Sequence, residues 1–320
     1  MTETAAPTVQ GDTMRDRFAI STHWNASRHK TGEGIVDEIL ELGIRRLELG
    51  YDLRSYHVDG IKRKQDAGEV RIDSVHNYCP VPPEATRGGP ELYTLAVGHW
   101  QIHEAAIMST TQTIQFAAEM GAKLVVMHCG NVAIRPLTPK LVAMSDQGER
   151  YTNAYEKLKL KLITQREKKV TAQLGFLMRG LERLIPTLEA TGVRLGLEIL
   201  PTYEAIPTEA EVKTILQHFG DSHLCYWHDF GHAQIRENLG FGSHVQSFAE
   251  LGPVMGGMHI HDVVPTDGDH RMPPSGMINF PLFGPHIPDH SLLVLEPGSK
   301  VEGPDVKRGL DLIVDSWTET

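Results

Sequence analysis

A chain of 320 residues, 40% hydrophobic and 22% charged, carries enough apolar side chains for one large core. One domain of the barrel size class is the expected organisation. A formal charge of -10 repels polyphosphates and disfavours nucleic acid as a partner. Cys79, Cys129 and Cys225 show no CxxC spacing, so they read as buried reduced thiols and not as a disulfide framework.

The opening MTETAAPTVQGDTM is polar and acidic, without the basic start and apolar stretch of an export signal. Residues 1–15 therefore read as a disordered tail on a cytoplasmic protein, and 16–320 as one domain. Short apolar runs then recur at 18–21, 46–49, 72–76, 124–128, 195–199, 224–229, 258–261 and 292–296, which makes eight strand candidates. Between them lie helical faces. Ile35, Ile39 and Leu42 precede a stop at Gly43, and Leu174, Leu177, Leu181, Leu184 and Leu188 line another stripe. Thr208 with Glu211 makes a capping box, and Val306, Leu310, Ile313 and Trp317 mark a last helix. No apolar run approaches the roughly 20 residues of a membrane helix, so no membrane partner is expected. The stretch 132–170, with its charged KLKLKLITQREKK, exceeds an ordinary connection. It reads as a solvated helical insertion, a lid or a subunit contact of a homo-oligomer.

Strand and helix alternating eight times imply a parallel sheet, and eight units in one domain of this length imply closure into a (β/α)₈ TIM barrel. A doubly wound open sheet is the alternative. No GxGxxG or GxxxxGK segment follows any strand, which withdraws support from a nucleotide cofactor.

In such a barrel the informative positions are polar residues at the C-terminal strand ends. His76 ends IDSVH, His128 ends LVVMH, and Glu198 ends LGLE. Asp229 and His232 sit in WHDFGH, His259 and His261 in MHIHD, and Glu296 ends LVLE. Any one of these has a structural explanation as a cap or a salt bridge. Together they would crowd carboxylates and imidazoles around one axis, which is costly unless a cation neutralises them. Glu198, Asp229, His259 and Glu296 form a mostly hard donor set that suits Mn²⁺, Mg²⁺, Co²⁺ or Zn²⁺ without choosing among them. A site at the barrel mouth with room for water or substrate reads as catalytic.

The segments SVHNYCP, GAKLVVMHCGNV, LGLEILP, HDFGHA, GMHIHDV and LVLEPG, in this order, resemble the xylose isomerase-like barrels of sugar isomerases and epimerases, relatives of the apurinic endonuclease barrels. The resemblance implies metal ligation by Glu198, Asp229, His259 and Glu296. It also implies that Glu198 and Glu296 act as the acid/base pair on the carbon beside a carbonyl. It implies substrate contacts from His232 and from Arg271 in DHRMPPSG; for Arg271 a salt bridge with Asp269 or Asp262 is the structural alternative. His76 and His128 become substrate-side groups or a second metal site. In the endonuclease branch His76, His128 and His232 would hold further zinc ions, but DGDHRMPPSG does not reproduce that branch's Asp-x-His pair in register.

The expected function is metal-dependent isomerisation or epimerisation of a keto-sugar or sugar derivative, a small-molecule substrate. The alternatives are a dehydratase or lyase that expels a sugar substituent, an apurinic endonuclease-type hydrolase, and a non-catalytic sugar-binding barrel.

Overall fold

The computed structural model describes residues 13–318. The tail expected over 1–15 lies outside these residues except at its end, where Thr13 caps a short 3-10 turn at Met14–Arg17 and Arg15 pairs with Asp311. Eight strands close a parallel barrel: β1 (Phe18–Ser21), β2 (Arg46–Leu49), β3 (Arg71–His76), β4 (Leu124–Met127), β5 (Arg194–Glu198), β6 (Leu224–Asp229), β7 (Met255–Ile260) and β10 (Leu292–Leu295). Two further strands, β8 (Asp262–Val264) and β9 (Gly268–Arg271), pair antiparallel in the loop after β7. The open-sheet alternative is thereby set aside.

The helices form where local chemistry asks for them. Thr31 accepts from the Gly34 amide at the start of Gly32–Glu41, that helix buries Ile35, Val36 and Ile39, and Gly43 follows at φ +78°. The Thr208–Glu211 capping box opens Glu209–Phe219. The last helix, Gly303–Thr318, buries Val306, Leu310, Ile313 and Trp317. The insertion is two helices, Thr138–Asp146 and Asn153–Glu167. Arg166 grips Glu211 at 2.6 and 2.8 Å together with the carbonyls of Tyr203 and Ala205, and the Tyr155 hydroxyl donates to the Leu239 carbonyl. Lys157, Lys161 and Lys168 point to solvent. Among the described residues no helix is long and apolar enough to cross a membrane.

Alternate residues of a strand face opposite sides, and that alternation builds two cores. One packs the sheet against the helices. The other fills the barrel lumen with Ala19, Leu124, Val126, Cys225, Trp227 and Val294. Each lumen run ends in a polar residue at the barrel mouth: Val126 leads to His128, Gly196 to Glu198, Trp227 to Asp229, Gly257 to His259 and Val294 to Glu296. Trp227 is the floor beneath them, its ring edge-on to His259 at 4.9 Å. Gly196 and Gly257 make room for it, since a Cβ would fall 3.3 and 2.3 Å from Trp227 atoms. β7 begins at Met255, three residues before the run that the sequence suggested: Gly256, at a bulge against β6, and Gly257, in the ladder, are kept small by Cys225 and Trp227. The three cysteines are buried and free.

On the outer side of β6, the Tyr226 hydroxyl lies 2.6 Å from His228 Nδ1, and His228 Nε2 lies 2.8 Å from His244 Nε2. Burial pushes His228 down to about 3. Burial and then the facing His228 hold His244 well below the usual histidine range. Both stay neutral in the fold, whereas an unfolded histidine titrates near about 6.5. The unfolded chain thus binds more protons, so their contribution is intact above about pH 6.5 and is lost as pH falls toward His228's folded value. At about pH 5 the His228 share of that loss is about 2 kcal/mol. The double variant His228→Leu with His244→Phe should therefore show a smaller drop in melting temperature than the parent between neutral and acid pH, measured by calorimetry; parallel curves would contradict this origin.

Candidate metal centre and active site

At the mouth of the barrel Glu198, Asp229, His259 and Glu296 are all nearly fully buried. His259 Nδ1 faces three carboxylate oxygens at once: Glu296 Oε2 at 3.3 Å, Glu198 Oε1 at 3.4 Å and Asp229 Oδ2 at 3.6 Å. One ring nitrogen cannot donate to three acceptors. Donors bound to one divalent ion at about 2.0–2.2 Å stand roughly 3 to 3.5 Å apart, and the separations from Nδ1 are of that order; Glu198, Asp229 and His259 make one metal-capable group, while Glu296 joins His259 in a second with His76. Glu198 adds a second sign. Its Oε2 is buried without a hydrogen bond, although His128 Nε2 and His76 Nε2 lie 3.1 and 3.4 Å away. The donor set, one imidazole with three carboxylates, fits a hard or borderline divalent metal.

The tautomer of His259 is fixed from behind. Its Nε2 lies 3.0 Å from Glu48 Oε1, and Ser74 Oγ donates to Glu48 Oε2 at 2.8 Å. A proton held on Nε2 leaves the Nδ1 lone pair aimed at the cluster, the arrangement in which an outer carboxylate orients a metal-binding histidine. Asp229 is held as well, because it caps helix Phe230–Leu239 by accepting from the His232 amide at 2.6 Å and lies 3.1 Å from His261 Nε2. His261 fits only because residue 231 is glycine: a Cβ there would lie 2.0 Å from the imidazole. Gly231→Ala should displace His261 and destabilise the protein by about 1–3 kcal/mol. Denaturant unfolding reads this, and an unchanged midpoint would show that the ring yields without cost.

The electrostatics separate the two glutamates. Burial alone would raise both. The His128 and His259 imidazoles outweigh it at Glu198, which is held well below the ordinary carboxylate range. At Glu296 burial prevails over His259, and the neighbouring Glu198 charge adds to it, so its carboxyl is raised. Burial disfavours charge on His128 and His232, but carboxylates, Glu198 at the first and Asp229 with Glu198 at the second, hold both up to about 9.

The other residues singled out from the sequence fall as follows. His76 and His128 meet Glu198 and form with it one metal-capable group. His232 is buried, with Nδ1 3.0 Å from the Ile199 carbonyl and 3.3 Å from Glu198 Oε1. The structure does not bring Arg271 to the cluster. It is exposed at the end of β9, where its backbone pairs with Asp262, and among the described residues its side chain makes no hydrogen bond or ion pair, either with Asp269 or with Asp262. Asp262 instead accepts the amides of Val263, Gly276 and Ile278 and knits the loop. His270, one residue before Arg271 and in the left-handed region at φ 52°, is the group that reaches the site. Its ring stacks on His261 at 4.3 Å and its Nδ1 lies 3.1 Å from the Glu296 carbonyl. With Asp269 and His232 it makes a further metal-capable group, which the order of residues in DGDHRMPPSG had not suggested.

Sequence reasoning also missed Glu48 and the row His23, Tyr51 and Asp52 after β1 and β2. His23 Nδ1 lies 3.3 Å from Asp52, the Tyr51 hydroxyl 3.2 Å from His23 Nε2, and the Tyr51 ring stands edge-on to His76 at 5.1 Å. Only the inward parity of Glu48 on RLEL was available as a signal.

Comparison with known proteins places this geometry. No curated protein matches the chain. Among solved structures, a D-tagatose 3-epimerase-like protein is 18% identical over 94% of this chain and 98% of its own, with a TM-score of 0.65. An L-ribulose 3-epimerase is 15% identical over 94% of each chain, TM-score 0.67. A 3-keto-D-glucoside 4-epimerase from E. coli is 15% identical over 95% of this chain and 98% of its own, TM-score 0.62. At such identities these likenesses speak to the fold. The model of the xylose isomerase-like TIM barrels matches residues 36–313, which takes in β2 to β10 and every residue of the metal centre, and the chain belongs to that family.

Proposed function

We propose that the protein is a metal-dependent sugar isomerase or epimerase that moves a proton at the carbon beside a carbonyl of a keto-sugar or sugar derivative. The observation that carries this reading is the pair Glu198 and Glu296, facing one His259 nitrogen from β5 and β10 and differing in acidity. Two carboxylates pushed apart in this way suit one as base and the other as acid. One takes the proton from carbon and the other returns one. Glu198, Asp229, His259 and Glu296 are the residues to hold the ion. A divalent ion there supplies positive charge that favours build-up of negative charge on the substrate oxygen as the proton leaves. Glu48 keeps His259 oriented, and His128 and His232 present N–H groups at the mouth that suit substrate hydroxyls. The three neighbours above, each named as an epimerase or epimerase-like protein of a sugar or glucoside, support the same reaction class.

A second reading, a multi-metal hydrolase of the apurinic endonuclease type, draws on the groups His76–His128–Glu198 and His232–Asp269–His270 flanking the centre. The net charge of -10 weighs against a duplex substrate. Product analysis after incubating the metal-loaded protein with ketoses, 3-keto-glycosides and abasic DNA separates the readings. An equilibrium mixture of two epimers or of an aldose and a ketose is the expected result. A dehydrated product or a released substituent would make it a lyase, and strand cleavage a hydrolase.

A further inference from the structure

Among the described residues His270 is the only non-glycine at positive φ, 52°. That left-handed backbone costs a residue with a Cβ more than it costs glycine, and its task in the loop needs no side chain. The His270 amide donates to His261 Nδ1 at 2.9 Å, which leaves the His261 proton on Nε2, facing Asp229. The imidazole is therefore an addition to the turn, and strained backbone of this kind clusters at active sites and ligand clamps. The ring is fixed at one edge and open at the other. Its Nδ1 lies 3.1 Å from the Glu296 carbonyl, an acceptor, so Nδ1 carries the proton and Nε2 the lone pair. Burial disfavours a second proton, and a cation at the centre acts in the same direction. Nε2 faces Asp269 Oδ2 at 4.0 Å, beyond hydrogen-bond reach, and the side chain is 29% exposed. Two acceptors thus face each other at the mouth with no proton between them. One ligating atom each of His232, Asp269 and His270 lie within 4.8 Å of one another. That suits a single bridging oxygen, which holds two hydrogen-bond partners about 4.5 Å apart.

We propose that His270 Nε2 accepts a hydrogen bond from a substrate hydroxyl neighbouring the reacting carbon, which makes the β8–β9 hairpin the element that selects for that hydroxyl. The proposal rests on the sugar isomerase or epimerase reading above. The partner must donate, because Nε2 and the Asp269 carboxylate both accept; a hydroxyl fits where a carbonyl, an ether oxygen or a phosphate does not. It neighbours the reacting carbon because the same ring lies close to a proposed proton-transfer group, with Nδ1 3.8 Å from Glu296 Oε2. A metal ion would claim the same lone pair, so the test must tell the two apart.

The test pairs variants of His270 with sugars that lack one hydroxyl. Glycine and asparagine tolerate the left-handed backbone and keep the amide that binds His261, and neither carries an acceptor as far out as Nε2. His270→Gly and His270→Asn should therefore melt at or above the parent's temperature. With the metal-loaded parent, kcat/KM on D-tagatose, D-psicose, L-ribulose or methyl 3-ketoglucoside should exceed that on one of its monodeoxy forms by about three- to tenfold, the worth of one neutral hydrogen bond. In both variants that preference should fall to about one, while preferences at the other positions stay. Dissociation constants of the matching reduced sugars and their deoxy forms, measured by calorimetry, should repeat the pattern without turnover. Bound metal per chain should be equal in parent and variants. No preference for any hydroxyl in the parent, a preference that survives in His270→Gly, a loss spread evenly over all positions, or one metal ion fewer in the variants would overturn the role of His270. The expected pattern with the reduced sugars but no proton exchange on any keto-sugar would leave that role standing and overturn the reaction.

Discussion

Glu198→Gln is expected to slow proton exchange beside the substrate carbonyl by at least about a thousandfold, the upper range for loss of a positioned base. Glutamine keeps the shape of the side chain, so the lumen packing over Trp227 survives. What disappears is the charge that accepts the proton and faces His76, His128 and His259. Glu296→Gln should cost a comparable factor, because it removes the other proton-transfer group. His128→Ala should cost much less, since His128 touches Glu198 from the side and carries no proton to or from carbon in this scheme. Steady-state kinetics with a keto-sugar substrate read all three. Equal and mild losses would remove the two-carboxylate mechanism, because no pair would then stand apart from its surroundings.

Chelation should abolish activity to background, and Mn²⁺, Mg²⁺, Co²⁺ or Zn²⁺ should restore it in some order. The stronger expectation concerns stability. Glu48, Glu198, Asp229 and Glu296 are four carboxylates buried at one end of a barrel, and the histidines between them offset that charge only where protonated. A cation that binds only the folded chain adds about 2.7 kcal/mol at a hundred times its dissociation constant. The melting temperature of chelator-treated protein should therefore rise by several degrees on adding the preferred metal, and the rise should shrink in Asp229→Asn. Glu48→Gln should lower metal affinity by about 10–100-fold, the range seen when an outer partner of a ligating histidine is lost. A melting temperature indifferent to every divalent ion would show that the cluster is held by protonation alone.

Most of the barrel was legible because two periodicities do the work. Alternation placed Glu198, Asp229, His259 and Glu296 on the lumen side of their strands, and helical stripes such as Leu177, Leu181, Leu184 and Leu188 marked the outer layer. The misses share a cause: they depend on contacts that local sequence does not encode. Gly256 and Gly257 look like a break, yet they are strand residues shaped by Cys225 and Trp227. RLEL reads as an ordinary alternating strand, and only the closed barrel brings Glu48 to His259, 211 positions away. In DGDHR the sequence pointed to Arg271, but β9 folds back on β8, and His270, in the left-handed region at φ 52°, meets His261 while Arg271 is exposed. His23, Tyr51 and Asp52 follow the ends of two neighbouring strands and carry no periodic signal at all.

The most direct measurement is solvent deuterium exchange: the metal-loaded protein in D₂O with ketoses and 3-keto-glycosides, followed by NMR at the carbon beside the carbonyl. The account expects deuterium to enter at that carbon with at least one of these substrates, only when metal is present, and not with Glu198→Gln. No exchange with any of them, or exchange that persists in Glu198→Gln, would contradict it.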